Sequence, residues 1–169
     1  LKDGGLEKPW SIDPIFQVTY FCNTDRENDK VTRWMRQNFT GSDRKHDVEN
    51  YILARMVNKP ESLAAMGWPW NSFFKDQWHG VMSQKGAWGS AYIVSTNGRA
   101  VAKHEYIGGL LERVFEQVPY SPPIGVAPTL GGCHKALMQL QGMGSFMSGQ
   151  VVADLKNTEG NILQDATDW

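Results

Sequence analysis

A mainly α-helical domain with one small β-hairpin is the fold class this sequence predicts, and three stretches carry that expectation. Ile107, Leu110, Leu111, Val114, Phe115 and Val118 fall at i, i+3, i+4, i+7, i+8 and i+11, which puts apolar side chains on one helical face. Asn97-Gly98, between residues 91–96 and 99–103, is the dipeptide of a type I′ turn, where both central residues need positive φ. Leu140-Gln141-Gly142-Met143-Gly144-Ser145-Phe146-Met147-Ser148 sets two glycines around one apolar residue between two helical segments.

The other elements follow in chain order. Asp13-Pro14 is a helix start, a capping carboxylate followed by a proline at the first helical position. Helix is expected from Ile15 to about Phe39, broken near Asn23, with Phe16, Tyr20, Val31, Trp34 and Met35 among its apolar members. Gly41-Ser42-Asp43 ends it, and a second helix carries Val48, Tyr51, Ile52 and Met56 on one face. Pro60 opens a short helix that stops near Gly67, and Phe73, Phe74, Trp78, Val81 and Met82 fit helical spacing within 71–84. The proline-rich run from Pro119 to Pro128 closes the long helix. Helices from about Thr129 to Gln139 and from about Ser145 to Leu155 flank the glycine pair.

Composition sets the bounds. The 169 residues suit a single domain over 1–169, and 41% apolar against 21% charged residues is globular composition. Seven tryptophans and seven phenylalanines supply large apolar surfaces for a core. No apolar run is long enough to span a membrane and no signal peptide opens the chain, so a soluble, cytoplasmic protein is expected. Two cysteines, Cys22 and Cys133, with no CxxC and no Cys/His cluster, disfavour zinc and iron–sulfur sites and suit buried free thiols. No motif implies a metal or other cofactor. A net charge of −1 excludes bulk electrostatic coating of nucleic acid and leaves room for a local phosphate site.

The glycine pair supplies such a site. Two glycines around one apolar residue let the chain turn tightly with N–H groups exposed, and the following helix begins with unbonded N–H groups and the positive end of its dipole. Gly142, Gly144 and Ser145 would cradle a DNA phosphate while Met143 anchors the loop in the core. A plain glycine-containing turn between helices has the same outline, and Leu140 and Ser148 are what narrow it. With those flanks the segment resembles the hairpin of the helix-hairpin-helix DNA glycosylases. That family places a catalytic aspartate 24 residues after the first leucine, which here is Gln164, with Asp165 next to it and Asp168 three further on. The lysine of its bifunctional members falls on Phe146, which has no amine for a Schiff base.

Over most of its length the chain resembles a related phage family, the alpha-glutamyl/putrescinyl thymine pyrophosphorylases. These share their helical domain with phage 5-hydroxymethyluracil DNA kinases. Three blocks carry the likeness: Asp13 to Thr32, with its Phe21-x-Asn23-x-x-Arg26-x-x-Asp29; Gly89 to Gly98; and the hairpin through Val151-Val152-Ala153-Asp154 to Asp165-Ala166-Thr167-Asp168-Trp169. The family continues into a Gly-Pro-Gly segment where this sequence stops, so a C-terminal truncation is expected. No GxxxxGK[ST] is present, so the kinase activity of fused relatives does not carry over.

The resemblance implies a bacteriophage enzyme of thymine hypermodification in the cytoplasm of an infected bacterial cell. It would be a transferase that replaces the pyrophosphate on 5-(pyrophosphoryloxymethyl)uracil in double-stranded DNA with an amine, either an amino acid or putrescine. A 5-hydroxymethyluracil DNA kinase would be the partner enzyme. Asp168 is the leading catalytic carboxylate and Asp165 the second. Asn23, Arg26 and Asp29, at i, i+3 and i+6, would share a helical face, Arg26 holding pyrophosphate as a bidentate fork and Asp29 orienting it. Their alternative is an ordinary ion pair on a solvated face. Arg26 and Asp168 are expected in one pocket. Lys30, Arg33 and Lys103 are further phosphate-contact candidates, although a solvated charged face explains the first two as well. His79, His104 and His134 read as structural or surface residues. Trp68-Pro69-Trp70 reads as packing rather than as a stacking platform for an extruded base. Two other functions stay open: a monofunctional base-excising glycosylase, and a non-enzymatic DNA-binding module that partners the kinase.

Overall fold

The computed structural model describes residues 26–39, 46–91, 94–116 and 129–157. A short 3₁₀ turn at Arg26–Asn28 leads into α1 (Lys30–Asn38). Then come α2 (Asp47–Val57), α3 (Pro60–Ala65) and α4 (Lys75–Met82). The remaining helices are α5 (Lys103–Glu116), α6 (Leu130–Leu137) and α7 (Ser145–Lys156). The protein is therefore mainly helical, as the sequence implies.

Helix α2 is the axle of the fold. Every residue from Glu49 to Val57 is buried, so this helix is covered on all sides rather than along one stripe. Helices α1, α3, α5 and α7 all pack against it. Pro60 occupies the start of α3, where its missing N–H costs nothing, and Gly67 at φ 73 ends the turn that follows. In α5 the sequence periodicity holds, with Ile107, Leu110, Leu111 and Val114 buried. Gly108 lies against Trp78 so closely that a β-carbon there would sit 2.5 Å from the indole Nε1.

A charged network sits inside this helical core. Arg55 is fully buried, and its guanidinium meets Asp154 of α7 bidentately, Nε to Oδ2 at 2.5 Å and Nη2 to Oδ1 at 2.6 Å. Its Nη1 donates to Asp29 Oδ1 at 3.0 Å and its Nη2 to the buried Thr32 hydroxyl at 2.5 Å. Burial alone would lower the Arg55 pKa, but its bonds to Asp154 and Asp29 hold it above the ordinary value. The network joins α1, α2 and α7 at one point.

Two sequence expectations are corrected. Arg26 and Asp29 do not share a continuous helical face: Arg26 lies in the 3₁₀ turn, and Asp29 is the N-cap of α1 with extended backbone, φ −70 and ψ 129, while Asn23 lies outside the described residues. Aspartate takes that position because its carboxylate accepts the orphan Thr32 N–H, here at 2.7 Å. Of the small β-hairpin, the described residues show the turn alone. Asn97 at φ 51 and Gly98 at φ 75 have the expected signs, and Arg99 N–H donates to Thr96 O at 3.1 Å. No strand flanks that turn among the described residues. Four residues separate Gly98 from α5, and the turn docks on that helix instead, with Asn97 Nδ2 donating to the Tyr106 hydroxyl at 3.3 Å.

The expected helix start at Asp13-Pro14, the breaker at 41–43 and the connector from Pro119 to Pro128 lie outside the described residues, as does Cys22. Cys133 is buried in the core. Trp68 and Trp70 are both buried, their indole N–H groups donating to the carbonyls of Asn50 and Met66, which bears out their reading as packing.

Candidate nucleic-acid interface

The glycine hairpin is built from the end of α6 to the start of α7. Thr129 caps α6 through Gly132 N–H at 3.0 Å. Past Leu137 the chain tightens, with Leu140 N–H donating to Leu137 O and Met143 N–H to Leu140 O, each at 3.0 Å. Gly142 is a glycine for two reasons. Its φ is 90, and a β-carbon there would lie 2.5 Å from the Leu110 Cδ1 of α5. Met143 is buried and pins the loop, as its apolar character implies. Gly144 is the N-cap of α7 in extended backbone, φ −85 and ψ 172, and no side chain caps this end. Its carbonyl accepts the Ser148 N–H at 3.0 Å, where the helical ladder begins. His134 braces the two helices, its Nε2 lying 3.0 Å from the Ser145 carbonyl.

This hairpin forms one wall of a cleft of about 430 Å³, faced by Ser95, Asn97 and Tyr106 across from Gly142, Gly144 and Phe146. Phe146 is 59% exposed, a large apolar ring in the first turn of a helix whose start attracts anions. The Arg99 guanidinium lies 5.3 Å from the centroid of the Tyr106 ring, so a fixed positive charge borders the cleft. The sequence reading missed Arg99; its place just after the Asn-Gly turn was the available signal.

Gly142, Met143, Gly144 and Ser145 thus meet in one loop. The basic candidates do not join them there. Lys30 is exposed and pairs with Glu61 at 2.7 Å, and Arg33 is exposed on the same helix. The start of α1 meets α7 at Asp154, where Thr32 Oγ1 lies 3.5 Å from Oδ1. That point is nine residues beyond Ser145, roughly 13–14 Å along the axis at 1.5 Å per residue. Lys103, the first residue of α5, places its ammonium 4.1 Å from the Trp88 ring centroid, and burial lowers its pKa. Asp29 is committed to capping α1 and to Arg55. Burial pushes its pKa up, but the Thr32 N–H and Arg55 outweigh that and hold it below the ordinary value. Asn23, Asp165 and Asp168, and the side chain of Arg26, lie outside the described residues.

A second cleft, of about 530 Å³, lies between the N-terminus of α2 and the 66–77 segment, lined in part by Phe39, His46, Asn50, Trp70, Phe74 and Gln77. Behind it Glu49 is buried, its Oε1 3.8 Å from His46 Nδ1, while its Oε2 has no hydrogen-bond partner. Burial pushes the Glu49 pKa above the usual carboxylate range, against smaller lowering by its own backbone and by His46. The i, i+3 spacing of His46 and Glu49 was visible in the sequence, but the cleft they adjoin was not. Among the described residues no cluster of three or more His, Cys, Asp and Glu could hold a metal ion. No helix among them is long and apolar enough to cross a membrane.

These features define a class: a helical domain presenting a glycine hairpin and an uncapped helix N-terminus at a cleft. The chain belongs to the family of the 5-hmdU DNA kinase helical domain, whose family model matches residues 2–167. It is similar to the 5-hmdU DNA kinase of Bacillus phage SP10, at 28% identity over 80 residues. That alignment covers 44% of this chain and 13% of the phage protein, so the chain spans a small part of that relative. No solved structure matches it significantly.

Proposed function

We propose that this chain acts in thymine hypermodification of phage DNA, as one helical unit that replaces the pyrophosphate on 5-(pyrophosphoryloxymethyl)uracil with an amine. The observation that carries the reading is the hairpin. Gly142 to Ser145 turn the backbone onto the uncapped N-terminus of α7 beside a cleft, an arrangement suited to one DNA phosphate. Membership of a family named for a kinase of 5-hmdU in DNA supports the choice of base. In the reaction the amine nitrogen forms a bond to the 5-methylene carbon, the carbon–oxygen bond breaks, and pyrophosphate leaves with the electron pair. Arg26 would hold the leaving group, and Asp29, by capping α1, would fix the turn that bears Arg26. Asp168, or Asp165, would supply the carboxylate beside the electron-poor methylene, and Asn23 would stand with Arg26. Lys103, Lys30 and Arg33 would add phosphate contacts away from the hairpin.

A 5-hydroxymethyluracil DNA kinase would supply the substrate, in the cytoplasm of an infected bacterial cell. The deciding experiment is mass spectrometry of nucleosides from pyrophosphorylated 5-hydroxymethyluracil DNA after incubation with the chain and a pool of amines. Pyrophosphate release that depends on added amine supports the transferase, and release of free base supports a glycosylase. Tight DNA binding without turnover supports a second reading, a DNA-binding module that partners a kinase. The alignment with a small part of the phage kinase favours that second reading. Asp168→Asn is expected to abolish turnover and spare DNA binding, because the amide keeps the shape and loses the charge.

A further inference from the structure

The cleft at His46 has the makings of a subsite for the nucleophile. We infer that it binds the primary ammonium group of the co-substrate, with His46 taking the proton and Glu49 positioning His46; this rests on the transferase reading above. His46 is the one titratable side chain among the described residues that line the cleft. Its Nδ1 is turned toward Glu49, which leaves Nε2 as the nitrogen available to an occupant. Glu49 is buried with Oε2 unpartnered, and a buried polar atom left in that state costs stability until a hydrogen-bonding partner reaches it. At 3.8 Å the pair is long for a hydrogen bond, yet close enough for Glu49 to fix which edge of the His46 ring faces inward.

The rest of the wall favours an ammonium over an anion or a nucleobase. Trp70 and Phe74 meet edge to face with centroids 5.5 Å apart, and aromatic faces attract cations and not phosphates. Asn50 is no reader of a base edge. Its Nδ2 donates to the carbonyls of His46 and Trp70, at 2.9 and 2.7 Å, and its Oδ1 accepts from Trp70 N–H at 2.7 Å. The two bonds to Trp70 tie the walls of the cleft together. Helix α5 links this cleft to the hairpin. Leu110 lines the hairpin cleft, while Phe115 packs on His46 and on Trp70, each at 6.4 Å between centroids. Phe115 lies five positions beyond Leu110, roughly 7.5 Å of helix rise.

The step balances without a further reactant. The ammonium gives one proton to His46 Nε2, and the freed nitrogen lone pair forms the carbon–nitrogen bond as the carbon–oxygen bond breaks. Pyrophosphate leaves with the electron pair of the broken carbon–oxygen bond, and the new secondary ammonium gives up one proton to solvent.

Two measurements on the full chain test this. The first is calorimetric titration with putrescine alone. Saturable heat is expected for the wild type, with binding weakened about tenfold or more in Glu49→Gln; no saturable heat, or equal binding in the variant, overturns the subsite whether or not transfer occurs. The second is the transfer assay, which applies when the wild type is active. His46→Gln is expected to lower kcat by about 10²–10⁴-fold with DNA affinity unchanged, and imidazole is expected to restore part of the rate to His46→Ala. Glu49→Gln is expected to lower kcat and raise the amine KM, with partial recovery in Glu49→Asp. Wild-type rates in His46→Gln overturn the proton transfer and leave the transferase intact, whereas a wild type inactive with every amine sinks the transferase and leaves the titration to decide the subsite.

Discussion

Gly144→Val separates a DNA-binding hairpin from an ordinary turn more cleanly than any other substitution in the molecule. A β-carbon at Gly144 meets no heavy atom within 4 Å, and the backbone there, φ −85 and ψ 172, is one that β-branched residues adopt readily. The cost to folding is therefore about 1 kcal/mol or less, the scale of exchanging one N-cap residue for a poorer one. The cost to binding is larger, because the isopropyl group stands where a phosphate would approach the N–H groups of α7. Losing a hydrogen bond to a charged group costs about 1.5–3 kcal/mol, so duplex affinity should fall about 10- to 150-fold. Fluorescence anisotropy of a labelled duplex at fixed salt reads this directly, alongside a thermal melt of each protein. A salt series adds a second readout. Backbone N–H groups are no side-chain cations, so Gly144→Val should leave the slope of log K against log salt unchanged. Lys103→Ala should lower that slope by about 0.9 if its ammonium neutralises one phosphate. Affinity within about twofold of the wild type in a well-folded Gly144→Val would refute the phosphate site and reduce the hairpin to a connection between α6 and α7.

Other expectations follow from the same geometry. Gly142→Ala should destabilise the fold by about 2–4 kcal/mol, from its positive φ and its contact with Leu110; in urea unfolding, Leu110→Ala in that background should cost less than the sum of the two changes. Asp154→Ala strips the buried Arg55 of its bidentate partner and should cost about 3–5 kcal/mol, whereas Arg55→Met with Asp154→Leu should recover most of that loss. The depressed Asp29 pKa stabilises the fold above the pKa of an unfolded aspartate, about 3.9. That contribution should fade as pH falls through the lower folded value, and Asp29→Asn should flatten this limb of the stability–pH curve.

Local grammar made the helical elements legible. The α5 stripe, Pro60 with Gly67, the Asn-Gly turn and the glycine hairpin each rest on residues within about a dozen positions of one another, and each is found among the described residues. Interactions across the chain were not legible. Arg55 lies 99 residues from Asp154 and 26 from Asp29, so nothing local announced that they meet. The hint was an arginine inside Tyr51-Ile52-Leu53-Ala54-Arg55-Met56-Val57, a stretch otherwise apolar. Asp29 was misread for a related reason. Its spacing from Arg26 fits a helix face, but an aspartate three residues before a threonine also fits the N-cap of a helix that starts after it, and here the carboxylate takes that role. The His46 and Glu49 pair acquires a cleft only because residues 66–77 fold back over α2.

The buried Arg55 network also bears on how the chain is made. During synthesis α1 and α2 emerge well before α7, so Arg55 is committed to the interior of a domain whose main counter-ion does not yet exist. A cation buried without its carboxylate is costly, and the earlier helices cannot settle around it until Asp154 arrives. Asp154 arrives on the same helix that begins at the glycine hairpin. Completion of the core and delivery of the hairpin are thus a single event, and a product ending before α7 would lack the carboxylate that its buried arginine requires.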